Sequence, residues 1–484
     1  EDAFSFDPKS ITHFYKKNVK WIIPLVCILI TMSVSIYLRT LPLSLPITEG
    51  WAQNTISDHY HNVIQQQVTS QYPNLPSQNV NTMVEKEWKK FQQENKDLLS
   101  SQTKQLAEQY KDQFRDDQGT VYLLGLDPYF YYRQVYYVLE NGFPGTEISN
   151  GEIRDQYRLA PLGTTSGWNF HNWFGYFLHR FINIFTNAPL MSTFFYVGVI
   201  FSALTIIPSF FIGRIITKNN VGGFFTAMLL AVSSFFVART TGESSDTDVY
   251  AVFFPVLITW FFLQSLYAKN LKQKLSRISL AGLSTGVFSF AWSGWWYIAD
   301  FIFVALLLYL MYIIIISWKT IRATLTTDII LHPLYTFFLY LGTACVSVFF
   351  FTSFQEMKRI FFGPFQFLLL KAVGVTSFWP NIRTTVAELN VPSFSTVLNQ
   401  LGGTLIFALA ILGILFIILR KEENKYHHLS LVLFLTIWFA ASLFATTKGI
   451  RFVLQATPIL AIAFGSFLGI TWYYTSQWLS KGLK

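Results

Sequence analysis

About ten apolar runs, each roughly 17 to 25 residues long, decide what this chain can fold into. The first covers Trp21–Leu38; the others fall near 191–213, 221–238, 249–267, 278–294, 298–318, 329–353, 400–419, 429–447 and 452–474. In hydrocarbon a chain must satisfy its backbone polar groups within itself, and a helix does so segment by segment. Only 13% of the 484 residues are charged, against about a quarter in soluble domains. The expectation is an all-α polytopic membrane protein with about ten or more transmembrane helices and two long external loops.

The basic residues set the orientation. Lys16, Lys17 and Lys20 precede the first run, which has no small-residue cleavage site behind it and reads as a retained span. With the N-terminus cytoplasmic, one side collects Arg214 and Lys218, then Lys269, Lys272, Lys274 and Arg277, then Lys319 and Arg322. Arg420, Lys421, Lys425, Lys481 and Lys484 fall on that side too, as the positive-inside rule asks. The net charge of +9 resides in these short loops, which argues against nucleic acid as a partner. Cys27 and Cys345 lie within apolar runs and give neither a disulfide framework nor metal-ligand spacing. Because the chain begins at Glu1 rather than Met, its natural start is expected upstream.

This orientation divides the chain into a cytoplasmic segment at 1–20, a first span at 21–41 and a first external loop at 42–190. Spans fill 191–353 around a loop at 239–248; a second external loop covers 354–398, and 399–484 returns to spans. In the first loop, Val84–Phe114 is rich in Glu, Lys, Gln and Leu without Gly or Pro, and reads as an exposed helix or helical hairpin. In Gly125-Leu-Asp127-Pro-Tyr-Phe-Tyr-Tyr-Arg133 the proline favours a turn, with Asp127 placed to cap a helix beginning there. Trp168, His171, Trp173, Tyr176 and Phe177 form an amphipathic stretch for the membrane interface, where His171 reads as an interfacial residue rather than a metal ligand.

The segments left outside carry the suggestive chemistry: Asp127, Arg239 through Asp246 and Asp248, Trp295-Trp296-Tyr297, Glu388 and Arg451. Acids beside hydrocarbon are expensive unless paired or metal-bound. Asp246-x-Asp248 could share one divalent cation through hard oxygen donors, or be a hydrated loop that does nothing. Glu388 alone reads as an exposed glutamate, and Arg451 as an interfacial anchor or as a planar fork for a lipid-borne phosphate. A transporter would bury its polar groups at mid-membrane. Acids at the outer ends of spans point instead to an enzyme at the external interface.

In this order the five segments resemble the catalytic subunit of oligosaccharyltransferase in its single-subunit archaeal form. Gly-Leu-Asp127-Pro resembles that family's first acidic motif, and Arg239 with Asp246-x-Asp248 its second. Trp295-Trp296-Tyr297, Thr385-Val-Ala-Glu388 and Gly449-Ile-Arg451-Phe resemble three further family segments. The resemblance implies a GT-C-type fold. It also implies transfer of an oligosaccharide from a polyprenyl (dolichyl) phosphate or pyrophosphate to Asn in Asn-x-Ser/Thr. Asp127 and Glu388 would then act on the acceptor amide, and Arg239 would balance the acids. A divalent metal, Mn or Mg, would be held by Asp127, Asp246 and Asp248, while Arg451, Trp296 and Tyr297 would serve the donor. The implied partners are a lipid-linked oligosaccharide, an acceptor protein and membrane lipids, at a cell membrane with the site facing outside.

One departure is plain. The family's Trp-Trp-Asp-Tyr-Gly motif, carried by a soluble C-terminal domain, is missing from these residues. The chain is therefore expected to be the membrane portion, its acceptor-reading domain truncated or on a separate chain. The competing readings are another polyprenyl-phosphate-dependent transferase, such as a protein mannosyltransferase, and a lipid or polysaccharide transporter.

Overall fold

The computed structural model of the protein describes residues 8–320, 327–369, 386–420 and 425–482. Thr385 of the Glu388 motif and the basic residues Arg322, Lys421 and Lys484 fall outside these.

The first apolar run lies in α1 (Pro8–Thr40), which leads into the first long polar region. There α2 (Ile47–Gln71), α3 (Ser77–Glu94) and α4 (Lys96–Asp112) pack together, and Ile64, Val68, Val84 and Trp88 form a small core of their own. The helical hairpin expected at Val84–Phe114 is thus the second half of a three-helix unit. Next come α5 (Leu126–Asn141) and a three-stranded antiparallel sheet: β1 (Glu147–Ser149), β2 (Glu152–Asp155) and β3 (Thr164–Thr165). This sheet is an exception to the all-α expectation. Its Asp155 is buried and paired with Arg133 of α5. α6 (Phe170–Ile182) comes after it, started by a reciprocal capping box between Asn169 and Asn172.

The membrane bundle holds α7 (Leu190–Thr217), α8 (Asn220–Val232), α9 (Ser234–Ala238) and α10 (Tyr250–Leu266). Then come α11 (Leu271–Ala291), α12 (Trp296–Ile316), α13 (Asp328–Phe351), α14 (Phe354–Met357) and α15 (Arg359–Leu368). The last are α16 (Phe394–Gln400), α17 (Thr404–Leu419), α18 (Lys425–Thr446) and α19 (Val453–Gly482). Close helix approach rests on small residues, as membrane packing requires. Ser347 of α13 donates to the Gly282 carbonyl of α11 at 2.9 Å, and a Cβ on Gly413 of α17 would lie 1.9 Å from the Ala463 carbonyl of α19.

Among the described residues, seven helices are long and apolar enough to cross a membrane, or eight if the bent pair α16–α17 counts as one. This is fewer than the expected ten, for local reasons. The run at 221–238 breaks at Ser233 into the 13-residue α8 and the 5-residue α9. The run at 278–294 belongs to α11, whose first turns carry Lys272, Lys274 and Arg277.

Candidate active site

The starts of α10, α12 and α19 meet the ends of α9 and α18 at one end of the bundle, where the 239–248 loop is built most firmly. Arg239 follows α9, and the chain runs through one 3-10 turn (Gly242–Ser244) to a second (Thr247–Val249) that opens α10. Gly242 is required by close approach, because a Cβ there would lie 1.9 Å from the Phe195 ring. Ser245 is buried and donates to the Phe194 carbonyl at 2.9 Å. Asp246 caps the second turn, accepting from the Thr247 backbone and from its hydroxyl at 3.1 Å.

Two distant segments dock onto this loop. The first acidic motif arrives through the Leu124 backbone N–H, which donates to the Glu243 carbonyl at 2.8 Å. Asp127 is not the helix cap its proline neighbour suggests: Gly125, at φ 87°, takes that position, and Asp127 sits in the first turn of α5, exposed. Glu388 arrives 149 residues after Arg239 and accepts from Arg239 Nη1. The same Nη1 lies 3.6 Å from Asp248 Oδ2, so one guanidinium gathers both carboxylates. The Glu388 segment is itself joined to the last span, the Ile450 N–H donating to the Asn390 carbonyl at 3.0 Å. That bond brings Arg451 beside the loop: Arg239, Asp248 and Arg451 line one crevice with Phe235, Trp292 and Gln455.

The electrostatics follow from this crowding. Burial, then the neighbouring Asp248 and Asp127, pushes the Asp246 carboxyl up to about 7. Burial works against the Arg239 charge, but Glu388 and Asp248 outweigh it and hold the guanidinium above its ordinary value. Burial, then Asp246, pushes the Tyr131 hydroxyl up to about 12. Asp127, Asp246 and Asp248 carry the hard oxygen donors that a divalent cation takes. No three Asp, Glu, His or Cys side chains close around a metal-sized gap among the described residues.

Beside the acids lies a cavity of about 440 Å³, largely apolar, whose walls include Trp296, Tyr297, Phe301, Phe367 and Arg451. The Tyr297 hydroxyl is tied to the Ala251 carbonyl of α10 at 3.0 Å, so this tyrosine presents mostly its ring. The site therefore brings together Arg239, Asp248, Glu388 and Arg451, with Asp246 and Asp127 around them and Trp296 and Tyr297 along the adjoining cavity.

Three residues here were not anticipated. His171 is fully buried rather than interfacial; its Nδ1 lies 3.0 Å from the Tyr250 hydroxyl, and burial pushes it down to about 3. Asp300, one turn inside a span, lines the cavity, and its Oδ2 has no hydrogen-bond partner among the described residues. Arg39, at the end of α1, is fully buried. The sequence signal for the last two was a lone charge in or beside an apolar run.

Comparison with known proteins gives the family and the fold. A family model described as oligosaccharyl transferase STT3, N-terminal, matches residues 97–477. The dolichyl-phosphooligosaccharide-protein glycotransferase of Methanococcus voltae is 29% identical over 407 residues, 77% of this chain and 44% of that protein. The protein of the same name from Methanocaldococcus jannaschii is 27% identical over 443 residues, 74% of this chain and 47% of that protein. The chain thus spans about half the length of the curated relatives it matches. The Archaeoglobus fulgidus oligosaccharyltransferase AglB, solved with an inhibitory peptide and a dolichol-phosphate, shares the fold at 17% identity, with a TM-score of 0.53 over 75% of this chain and 48% of that one. The chain belongs to the STT3 oligosaccharyl transferase family.

Proposed function

We propose that this chain supplies the membrane-embedded catalytic part of an oligosaccharyltransferase, which moves an oligosaccharide from a dolichyl-type phosphate or pyrophosphate onto Asn in Asn-x-Ser/Thr. One observation carries the reading: Arg239 binds Glu388 and Asp248 together across 149 residues of chain. That contact joins the Glu388 segment to the Asp-x-Asp loop, beside a cavity with an arginine in its wall. The names of the relatives and the dolichol-phosphate bound by AglB support the same reading.

The chemical difficulty is the acceptor. An amide nitrogen is a poor nucleophile because its lone pair is delocalised into the carbonyl. Glu388 gives Oε1 to Arg239, which leaves Oε2 to accept an amide N–H. Asp127, exposed in the first turn of α5, would take the second N–H. Arg239 sets the orientation of Glu388, and Arg451 would stabilise the departing phosphate through charge-assisted hydrogen bonds. Trp296, Tyr297 and the apolar cavity wall would take the lipid-linked donor. Asp127, Asp246 and Asp248 are the residues that would hold Mn or Mg. Such an ion would add positive charge beside the acids. The reading includes a single-subunit enzyme in the cell membrane, with its N-terminus cytoplasmic and this site outside.

The test is transfer of a lipid-linked oligosaccharide to an Asn-x-Thr peptide by the full-length protein, with and without EDTA. Transfer that EDTA stops and added Mn or Mg restores is the expected result. No transfer from either phosphate or pyrophosphate carriers would overturn the function, and EDTA-resistant transfer would remove the metal.

A further inference from the structure

An arginine at the end of an apolar run ordinarily reaches for the headgroup layer. Arg39 turns inward instead. Its Nε donates to the Thr240 hydroxyl at 2.8 Å, across 201 residues of chain. Its Nη1 donates to the Ala231 carbonyl at 3.1 Å and to the Ser35 hydroxyl at 3.0 Å, and the guanidinium lies 4.6 Å from the centre of the Phe236 ring. No carboxylate pairs with it among the described residues.

A fully buried cation without a carboxylate is costly, so something must offset it. Part of the compensation is the end of α8, with Nη2 left without a hydrogen-bond partner among the described residues. That helix stops at Val232, and Ala231 offers one of the carbonyls a helix end leaves without a helical partner. The helix end is also its negative pole. Arg39 thus ties together α1, the end of α8, the ring of Phe236 in α9 and Thr240, whose hydroxyl also donates back to the Phe236 carbonyl. Thr240 is the immediate neighbour of Arg239, which holds Glu388 and Asp248. The family match begins at residue 97, so Arg39 lies outside it.

We infer that Arg39 is a positioning residue, a clamp from the first membrane helix that fixes where Arg239 leaves α9 and so where Glu388 is held. The kinetic consequence rests on the function proposed above; the structural one does not. Lysine in its place would keep the charge but lose the fork that reaches Thr240 and Ala231 at once.

The experiment uses the full-length protein with Arg39→Lys, Thr240→Val and both together. Each single substitution is expected to lower kcat by about tenfold or more, since small displacements at a reacting centre are that costly. The KM values for donor and acceptor should stay near those of the parent, because neither Arg39 nor Thr240 lines the donor cavity or supplies a group to the acceptor amide. The double variant should be no slower than the worse single one, because both break the same link. Amide exchange across residues 239–248 should quicken in all three. Additive losses in the double variant, or exchange over 239–248 like that of the parent, would overturn the proposal. Thr240→Val decides it alone where Arg39→Lys fails to fold. A parent protein without transfer sinks the proposed function, while the exchange measurement still judges the clamp.

Discussion

Two segments bring carboxylates to this site, and they are built in opposite ways. The 239–248 loop is pinned within the bundle: Gly242 lies against Phe195, Ser245 bonds to the Phe194 carbonyl, and Asp246 caps the turn that opens α10. The Glu388 segment is partly exposed and depends on a few long-range bonds, from Arg239 to Glu388 and from Ile450 to Asn390. One acid group is part of the fold, while the other is held against it. The fixed loop can keep charges together at a standing cost in stability, and the held segment can yield to a ligand without unfolding anything.

The largest expected effect separates chemistry from structure. Glu388→Gln in the full-length protein should reduce peptide transfer by about two orders of magnitude or more, with the thermal midpoint unchanged. Undiminished transfer would remove Glu388 from the reaction. Gly242→Ala should do the reverse, costing about 1–3 kcal/mol by overpacking against Phe195. A thermal midpoint equal to the parent's would show that the loop is not pinned there. A weaker effect concerns His171, which stays neutral in the fold with its pKa near 3, below the ordinary 6.5. The unfolded chain takes up a proton below about pH 6.5 and the folded one does not. Stability should therefore fall on acidification through that range, by at most about 1.4 kcal/mol per pH unit, and His171→Gln should flatten the slope. The smallest effect is expected at Gly449, where a Cβ would meet the Glu388 carbonyl at 3.2 Å. Gly449→Ala should loosen the docked segment, seen as faster amide exchange around 386–390, and leave global stability within about 0.5 kcal/mol.

What could be read beforehand was whatever lies along the chain. Apolar length and charge identified membrane helices, and the order of Asp127, Asp246, Glu388 and Arg451 identified the family whose model matches residues 97–477. What could not be read was reach. Hydropathy does not say that Arg39 turns towards Thr240 or that His171 is sealed against Tyr250, because both depend on partners dozens to hundreds of residues away. The expectation of ten spans lies slightly above the count among the described residues for a related reason. A run of the right length at 221–238 still breaks at Ser233, and hydropathy averages over such a corner. Asp127 missed its capping position because Gly125 takes the positive φ that starts α5.

The bend between α16 and α17 governs how the Glu388 segment is carried. Gly402 and Gly403 both sit at positive φ and turn the chain through 84°. The apolar helix α17 is thereby set nearly at right angles to the short α16, with Glu388 a few residues further back along the chain. The corner fixes the direction in which α16 leaves the apolar helix, and with it the anchorage of the segment that carries Glu388.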